Sequence, residues 1–396
     1  MKKIIDTIKN LKIDNEKPFC AYLYDLNDLY QHTKEITSQL PDKCEMFYAV
    51  KANSDNKILS VLDQTCNGFE VASLGELKQI RSQFPNAKII FGGPGKTLEE
   101  LEACIDYKVE LIHVESFYEL LNLYSICGKK NTEVDILLRL NIEFENLAQT
   151  RLTMGGKATP FGMDEKTLEK CLKFLNEHSC IHLKGFHFHL MSFQTDEISH
   201  AQLIGNYIDY LSNFNKKYDL NLNHLNVGGG IGVNYLDKNH KFNWQLFLNQ
   251  LNQIIKEKNA ECLNFRFECG RSLSVYCGFY ATEVLDIKEN HNKHFAVCRG
   301  GTHHFRTPFA QSHSHPFEVI EMKNLHNNDL IPQIENKEIT IVGQLCTPKD
   351  IMAYDKKVDQ LKVGDIILFS HAGAYAWNIS HHDFLCHPHP DMIYLD

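Results

Sequence analysis

Through the first two-thirds of the chain, short runs rich in β-branched and aromatic residues alternate with longer stretches whose apolar positions recur at helical spacing. The short runs are Met46–Val50, Gly68–Val71, Lys88–Phe91, Leu111–Val114, Asp135–Leu140, Lys184–His189, His224–Val227 and Asn264–Phe267. Between them, Leu98, Leu101, Cys104 and Ile105 fall on one face of a 3.6-residue period, as do Phe117, Leu120, Leu121 and Tyr124. Ser54, Thr97 and Ser116 stand where N-caps are expected, because a short hydroxyl side chain can take up amide hydrogens left unpaired in a first helical turn. Eight strands, most followed by a helix, is the arithmetic of a (β/α)8 barrel, with a doubly wound open sheet as the alternative.

After Gly270 the pattern changes. Phe279–Ile287, Phe295–Arg299, Glu338–Val342 and Asp365–Phe369 read as strands separated by turn residues, with little helical periodicity. They predict a separate β-rich domain, to which Phe19–Tyr24 adds a strand. The polar stretch Asn324–Lys337 is predicted as a loop. The expected division is residues 26–272 as the barrel, and residues 1–25 with 273–396 as the β-rich domain.

Composition narrows the class. A chain of 396 residues, 43% hydrophobic and 23% charged, can build a domain of ~250 residues and a smaller one. A net charge of −9 argues against a nucleic-acid partner, while leaving room for a basic pocket around a small acidic ligand. No apolar run approaches the ~18 residues of a membrane-spanning helix. The opening segment is interrupted by Asp6, Lys9 and Lys12, so it lacks a signal peptide's apolar core. Thirteen cysteines at irregular spacing, with no CxxC pair, read as reduced thiols, with at most one or two used in chemistry. The expectation is a cytoplasmic protein with no membrane or nucleic-acid partner.

In a barrel the working residues gather at the C-terminal ends of the strands. Those positions hold Lys51, Glu70 with Ser73, Gly92–Gly95, His113, Arg139, His189, Gly228–Gly230, and Glu268 with Arg271. Each has an ordinary structural reading: Lys51 as a solvated strand end, His189 as a structural histidine, the glycines as a tight βα turn. The run Gly92-Gly93-Pro94-Gly95-Lys96-Thr97 looks like a phosphate loop but fails its pattern, which needs glycine where Ile90 stands. Taken together, the set suits a phosphorylated, charged cofactor.

These segments resemble the alanine-racemase-type (fold type III) pyridoxal-phosphate decarboxylases, the group that includes diaminopimelate and ornithine decarboxylases, over nearly the whole chain. The resemblance is carried by Phe47-Tyr48-Ala49-Val50-Lys51-Ala52-Asn53, Gly68-Phe69-Glu70-Val71-Ala72-Ser73, Phe188-His189, Gly228–Gly230, Glu268-Cys269-Gly270-Arg271, Gly343-Gln344-Leu345-Cys346 and Gly373-Ala374-Tyr375. It implies a (β/α)8 barrel carrying pyridoxal 5'-phosphate, plus a C-terminal β-rich domain contributing to the active site and dimer interface. Lys51 would carry the cofactor as a Schiff base, and Glu268 would pair with the pyridine nitrogen. The His189 ring would stack on the pyridine. Ser192, Gly228, Gly229, Gly230, Gly270, Arg271 and Tyr375 would complete the cofactor site. Cys346 would be the acid that protonates the α-carbon, reaching the site from the partner in a homodimer with shared active sites. No metal is expected.

Three departures from the family pattern bear on the substrate. Cys269 replaces the usual proline. Cys346 is followed by Thr347, Pro348 and Lys349 instead of the acidic residue that reads a distal amino group in diamine-forming relatives. Gly300–Arg306 brings His304 and Arg306, and His313, His315, Lys349, His381 and His382 add donors; a planar guanidinium suits bidentate carboxylate binding. Arg306, Thr347, Lys349 and His304 are therefore the expected substrate-binding residues, for a small-molecule amino acid with an acidic distal group. The run Ser380–Pro390 could hold zinc by composition, but its spacing fits no standard site.

Within the family, Ile90–Thr97, Gly185–His189, Val342–Asp350 and Ile379–Leu385 resemble the siderophore branch of the staphyloferrin B type. That resemblance implies citrate joined by an amide to 2,3-diaminopropionate as substrate and citryl-ethylenediamine as product. Decarboxylation of diaminopimelate, ornithine or lysine, racemisation on the same cofactor, and a catalytically silent heterodimerising regulator are the alternatives.

Overall fold

The computed structural model describes residues 1–13, 17–144, 155–237, 239–322 and 330–396. After β1 (Cys20–Asp25), eight parallel strands close into a barrel. They are β2 (Cys44–Ala49), β3 (Gly68–Val71), β4 (Lys88–Phe91), β5 (Leu111–Val114), β6 (Val134–Arg139), β7 (Ile181–His187), β8 (His224–Gly228) and β9 (Asn264–Cys269). Each pairs with the next, with register shifts between β6 and β7 and between β8 and β9, and β2 closes on β9 through Cys44↔Phe265 to Tyr48↔Cys269. Phe47, Ile90, Leu111 and Leu137 form a buried cluster in the barrel. The alternative of an open sheet is thereby excluded.

The helices between the strands start where the sequence supplies caps. Thr97 and Glu100 form a reciprocal capping box ahead of the helix Leu98–Asp106, and Ser116 accepts from the Glu119 amide ahead of Phe117–Lys130. The expected cap at Ser54 is displaced by one residue. Asp55 is the N-cap of Asn56–Thr65, its carboxylate accepting from the amides of Lys57 and Ile58. Ser73, expected among the chemical residues, caps Leu74–Gln83.

The remaining strands are β10 (Gly278–Asn290), β11 (Lys293–Cys298), β12 (Phe317–Ile320), β13 (Gln333–Val342), β14 (Ile351–Lys362), β15 (Ile366–Phe369) and β16 (Asp391–Leu395). The main sheet runs β12-β15-β10-β11-β13-β14, and β1 lies antiparallel to β10 and parallel to β16. The amphipathic helix Lys2–Ile13 buries Ile4 and Ile8 in the same core as Phe19, Leu23, Phe279 and Leu368. The predicted loop at 324–337 is corrected in part: Gln333–Lys337 belongs to β13, paired with β14, and residues 324–329 lie outside the described ones.

The chain separates into two units, one of residues 30–233 and 242–273 and one of residues 1–29, 234–241 and 274–396. The segment Asn234–Lys241 thus groups with the β-rich unit, although it lies within the sequence span expected for the barrel.

Candidate active site

At the C-terminal ends of β2 and β3, the Lys51 ammonium donates to both oxygens of Glu70, at 2.9 and 2.8 Å. The lysine side chain is 43% exposed, while that of Glu70 is 4% exposed. Burial pushes the Glu70 carboxyl above its usual range, and the Lys51 charge offsets part of that shift. A solvent-reachable primary amine therefore sits on a buried counter-charge.

Around the barrel, Glu268 at the end of β9 is buried beneath three side chains. Asn226 Nδ2 donates to Glu268 Oε1 at 2.9 Å. His113 Nδ1 lies 3.3 Å from Oε1, and His187 Nε2 lies 3.3 Å from Oε2. The two imidazole centroids are 4.2 Å apart. Burial drives both histidines well below their ordinary pKa; the neighbouring ring adds to this at His113, and the Arg139 and Lys51 charges add to it at His187. The ligand atoms of His113, His187 and Glu268 lie within 4.8 Å of one another, a spacing that would also suit a metal. A cation there would, however, face the Asn226 amide hydrogens.

The glycine turn follows directly from β8. Gly228 and Gly230 adopt left-handed φ values of +70° and +80°, which a side chain would strain. A Cβ at Gly229 would run into the Glu268 carbonyl, and one at Gly230 into that of Met191. The Gly229 amide donates to His189 Nδ1 at 3.2 Å, which leaves the proton of a neutral His189 on Nε2. Enclosure by protein and the Arg139 and Lys51 charges hold that ring neutral. The loop carrying Ser192 runs beside the turn, with the Gln194 amide donating to the Gly230 carbonyl at 2.8 Å. Gly270 lets β9 approach β2, since a Cβ there would come within 2.7 Å of Ala52 Cβ. Arg271 begins a short helix with its guanidinium 5.6 Å from the Phe193 ring centroid.

Arg139 and the Gly92–Thr97 run are engaged internally. The Arg139 guanidinium donates to Glu115 at 2.7 Å, and Glu115 also accepts from the amides of Gly93 and Gly162. Lys96 is turned inward to Glu119, at 2.6 Å, and to the carbonyls of Gly93 and His113. Its ammonium is spent on protein oxygens, consistent with the failed phosphate-loop pattern.

The β-rich unit displays Cys346 as an exposed thiol on the loop between β13 and β14. Buried Asp350 pins that loop by accepting from the amides of Thr302 and Leu345, at 2.6 and 2.8 Å. Thr347 accepts from the Lys349 amide through its hydroxyl, and the Lys349 side chain is exposed. Arg306 is exposed, and its backbone amide donates to Ser380 Oγ at 3.0 Å. Half-buried Tyr375 lies beside Thr307, whose hydroxyl donates to its carbonyl. His304 is placed differently from the expectation of a substrate ligand. It is fully buried, with Nδ1 beside Tyr280 Oη and Cys20 Sγ, so within this unit it belongs to the scaffold. In the histidine-rich C-terminal run, His382 stacks on Trp377 at 3.6 Å and His389 meets Asp383 at 3.1 Å.

Asn226, His187, Glu115 and Asp350 were absent from the residues expected from sequence. A signal existed for His187, which stands two residues before His189 in the predicted run Lys184–His189, where alternation puts both on one face; in the structure β7 ends at His187. Asn226 is a lone polar residue between Leu225 and Val227, immediately before the glycine run.

These residues fit pyridoxal 5'-phosphate. The barrel offers a reachable amine, a buried carboxylate with donors around it, a glycine turn closed to side chains, and an arginine at the start of the short helix after β9. Comparison with known proteins agrees. Residues 26–275 match the family described as pyridoxal-dependent decarboxylase, pyridoxal binding domain. The chain is 43% identical, over 100% of its length and 98% of the relative's, to 2-[(L-alanin-3-ylcarbamoyl)methyl]-2-hydroxybutanedioate decarboxylase of Staphylococcus aureus. It is 29% identical, over 96% of its length and 88% of the relative's, to L-glutamyl-[BtrI acyl-carrier protein] decarboxylase of Niallia circulans. Diaminopimelate decarboxylase from Helicobacter pylori, solved with L-lysine, superposes with a TM-score of 0.80 at 25% identity, covering 98% of this chain and 94% of that one.

Proposed function

The chain belongs to the pyridoxal-dependent decarboxylases, and from that premise we propose that it removes the α-carboxylate of citryl-2,3-diaminopropionate, giving citryl-ethylenediamine for a siderophore of the staphyloferrin B type. The observation that carries this reading is the full-length likeness to the Staphylococcus aureus decarboxylase. The name of that enzyme's substrate spells out citrate joined through an amide to an alanine β-carbon.

Bound pyridoxal 5'-phosphate supplies an aldehyde carbon for an amine and a ring that accepts the electron pair left by departing CO2. Lys51 supplies the amine that holds the cofactor, and Glu70 orients it. Glu268 would pair with the ring nitrogen, and His189 would give the ring an aromatic face. Ser192, Gly228–Gly230, Gly270, Arg271 and Tyr375 would bind the cofactor, with the glycine turn, Arg271 and Tyr375 at its phosphate, while the Gly228 and Gly229 amides stay on Asn226 and His189. Once CO2 has left and the electron pair returns from the ring to the α-carbon, Cys346 would give its thiol proton to that carbon, becoming a thiolate. Arg306, Thr347 and Lys349 meet the citryl carboxylates, because a guanidinium and an ammonium reward an acidic tail and repel a distal ammonium. The active unit is a homodimer in which the β-rich unit of one subunit completes the barrel site of its partner. We place it in the cytosol, where its thiols stay reduced.

The test is CO2 release from citryl-2,3-diaminopropionate, diaminopimelate and ornithine at matched concentrations. Turnover of the citryl compound at least tenfold above the others is expected, in line with unpaired charges in the wrong complex. Turnover confined to diaminopimelate and ornithine would sink the proposal.

A further inference from the structure

The two ends of the cofactor site meet at one side chain. Asn226 lies on β8, wholly buried, two residues before the first glycine of the turn. The Gly228 amide donates to Asn226 Oδ1 at 2.9 Å, and only the oxygen of the carboxamide can receive that hydrogen. The orientation of the amide is thereby settled. Its nitrogen must face the other way, where it reaches Glu268 Oε1 at 2.9 Å and His113 Nε2 at 3.3 Å. The nitrogen carries two hydrogens and has two acceptors.

A chain of consequences follows for His113. Because Nε2 receives a hydrogen from Asn226, a neutral His113 carries its own proton on Nδ1, the atom facing Glu268 Oε1 at 3.3 Å. A cationic His113 would set an N–H against the Asn226 N–H. The amide thus selects the tautomer whose hydrogen lies on the carboxylate side, 3.3 Å from Glu268 Oε1 but without hydrogen-bond geometry to it, and adds no charge there. On its other side the same amide holds Gly228 in its left-handed conformation at the start of the turn.

We propose that Asn226 is a positioning residue that ties the ring-nitrogen carboxylate, Glu268, to the phosphate turn, Gly228–Gly230, and holds His113 as the Nδ1–H tautomer. This rests on the assignment of Glu268 and the glycine turn to the cofactor. Hydrogen bonds that orient a catalytic group from behind are worth most in a buried site, where an unmatched donor or acceptor has no water to turn to.

Asn226→Asp is the sharpest substitution. It keeps the shape and the acceptor for Gly228, but it places a carboxylate oxygen 2.9 Å from Glu268 Oε1, so that the two carboxyls must share a proton. The affinity of the apoprotein for pyridoxal 5'-phosphate should fall roughly tenfold or more, with kcat falling by a similar factor and KM little changed. The pH dependence of the bound cofactor's absorbance should shift. The second measurement needs no substitution: nitrogen-15 spectra of the histidine-labelled holoprotein should show His113 as the Nδ1–H tautomer at pH 7.5. A His113 that is cationic or Nε2-protonated overturns the proposal, as does an Asn226→Asp variant with unchanged cofactor affinity and spectrum. If Asn226→Asp does not fold, the tautomer alone decides. Glu268→Gln separates this from the site assignment. Full activity in Glu268→Gln removes that assignment, whereas an impaired Glu268→Gln beside an unaffected Asn226→Asp removes only the role of Asn226.

Discussion

Lys51 shows how far one residue can be read before its surroundings are known. At the end of an apolar strand it is equally well a solvated terminus; the company of Glu70, His189, the glycine turn and Glu268 changes that. The structure puts its ammonium 2.8 Å from a buried carboxylate and still leaves the side chain within reach of a ligand. Lys51→Ala should leave the protein unable to hold pyridoxal phosphate covalently, seen as loss of the mass added by borohydride reduction. CO2 release should drop by several orders of magnitude, as for loss of a nucleophile that acts as a unit with its neighbours. Full turnover in that variant would remove the lysine from the chemistry. Strand-end residues of this kind were legible because strand ends and motifs are local. Asn226 was not, because its meaning depends on the pairing of β8 with both β7 and β9, including the register shift between Asn226 and Gly228. His304 shows the converse: it stands in a promising motif, yet its ring is buried beside Tyr280 and Cys20.

At the scale of elements, the connection after β4 is held by a buried ion pair. Lys96 and Glu119, with side chains 1% and 6% exposed, join the loop after β4 to the helix Phe117–Lys130. Lys96 also takes the carbonyl of His113 at the end of β5. Replacing one partner strands the other charge in the interior. Lys96→Met should therefore destabilise the barrel by about 3 kcal/mol or more, and Lys96→Met with Glu119→Gln should recover much of that loss. Urea denaturation of the single and double variants checks both, and a single variant within ~0.5 kcal/mol of the parent would show the pair to be expendable. Most barrel strands were legible because they are buried on both faces and read as short apolar runs, such as Lys88–Phe91 and Leu111–Val114. In the β-rich unit the same signal weakens. β14 carries Asp355, Lys356 and Lys357 in succession on exposed positions, and the first half of β13 is polar, so neither looks like a strand until its partner is in place.

Across the whole molecule, neutral histidines are buried in both units, and this sets a direction for its response to acid. His113, His187 and His200 lie in the barrel unit and His315 in the β-rich unit; burial holds His113, His187 and His315 well below their ordinary pKa and His200 down at about 4. His200 packs on Phe247 with neither ring nitrogen hydrogen-bonded among the described residues. A histidine whose folded pKa is depressed binds fewer protons folded than unfolded once the pH drops below the unfolded value of about 6.5. Above that value these groups do not affect stability. Below it the unfolded chain gains protons that the native state refuses, and stability is lost as the pH falls, for His200 until about pH 4. At pH 5.5 a group such as His200 removes about 1.4 kcal/mol, a sizeable part of the ~5–15 kcal/mol that usually separates folded from unfolded. Melting of the cofactor-free protein should therefore be nearly flat from pH 8 to 7 and fall steeply between 6.5 and 5, before most carboxylates titrate. His200→Phe, which keeps a ring against Phe247 but cannot take a proton, should melt higher than the parent at pH 5.5 and alike at pH 8. A melting temperature constant down to pH 5.5 would mean that water or structural opening lets these histidines charge in place. The physical reason to expect otherwise is that burial outweighs every favourable charge near these imidazoles: Glu268 lies 3.3 Å from His113 and His187 yet leaves both pKa values depressed, and His200 has burial as its only influence.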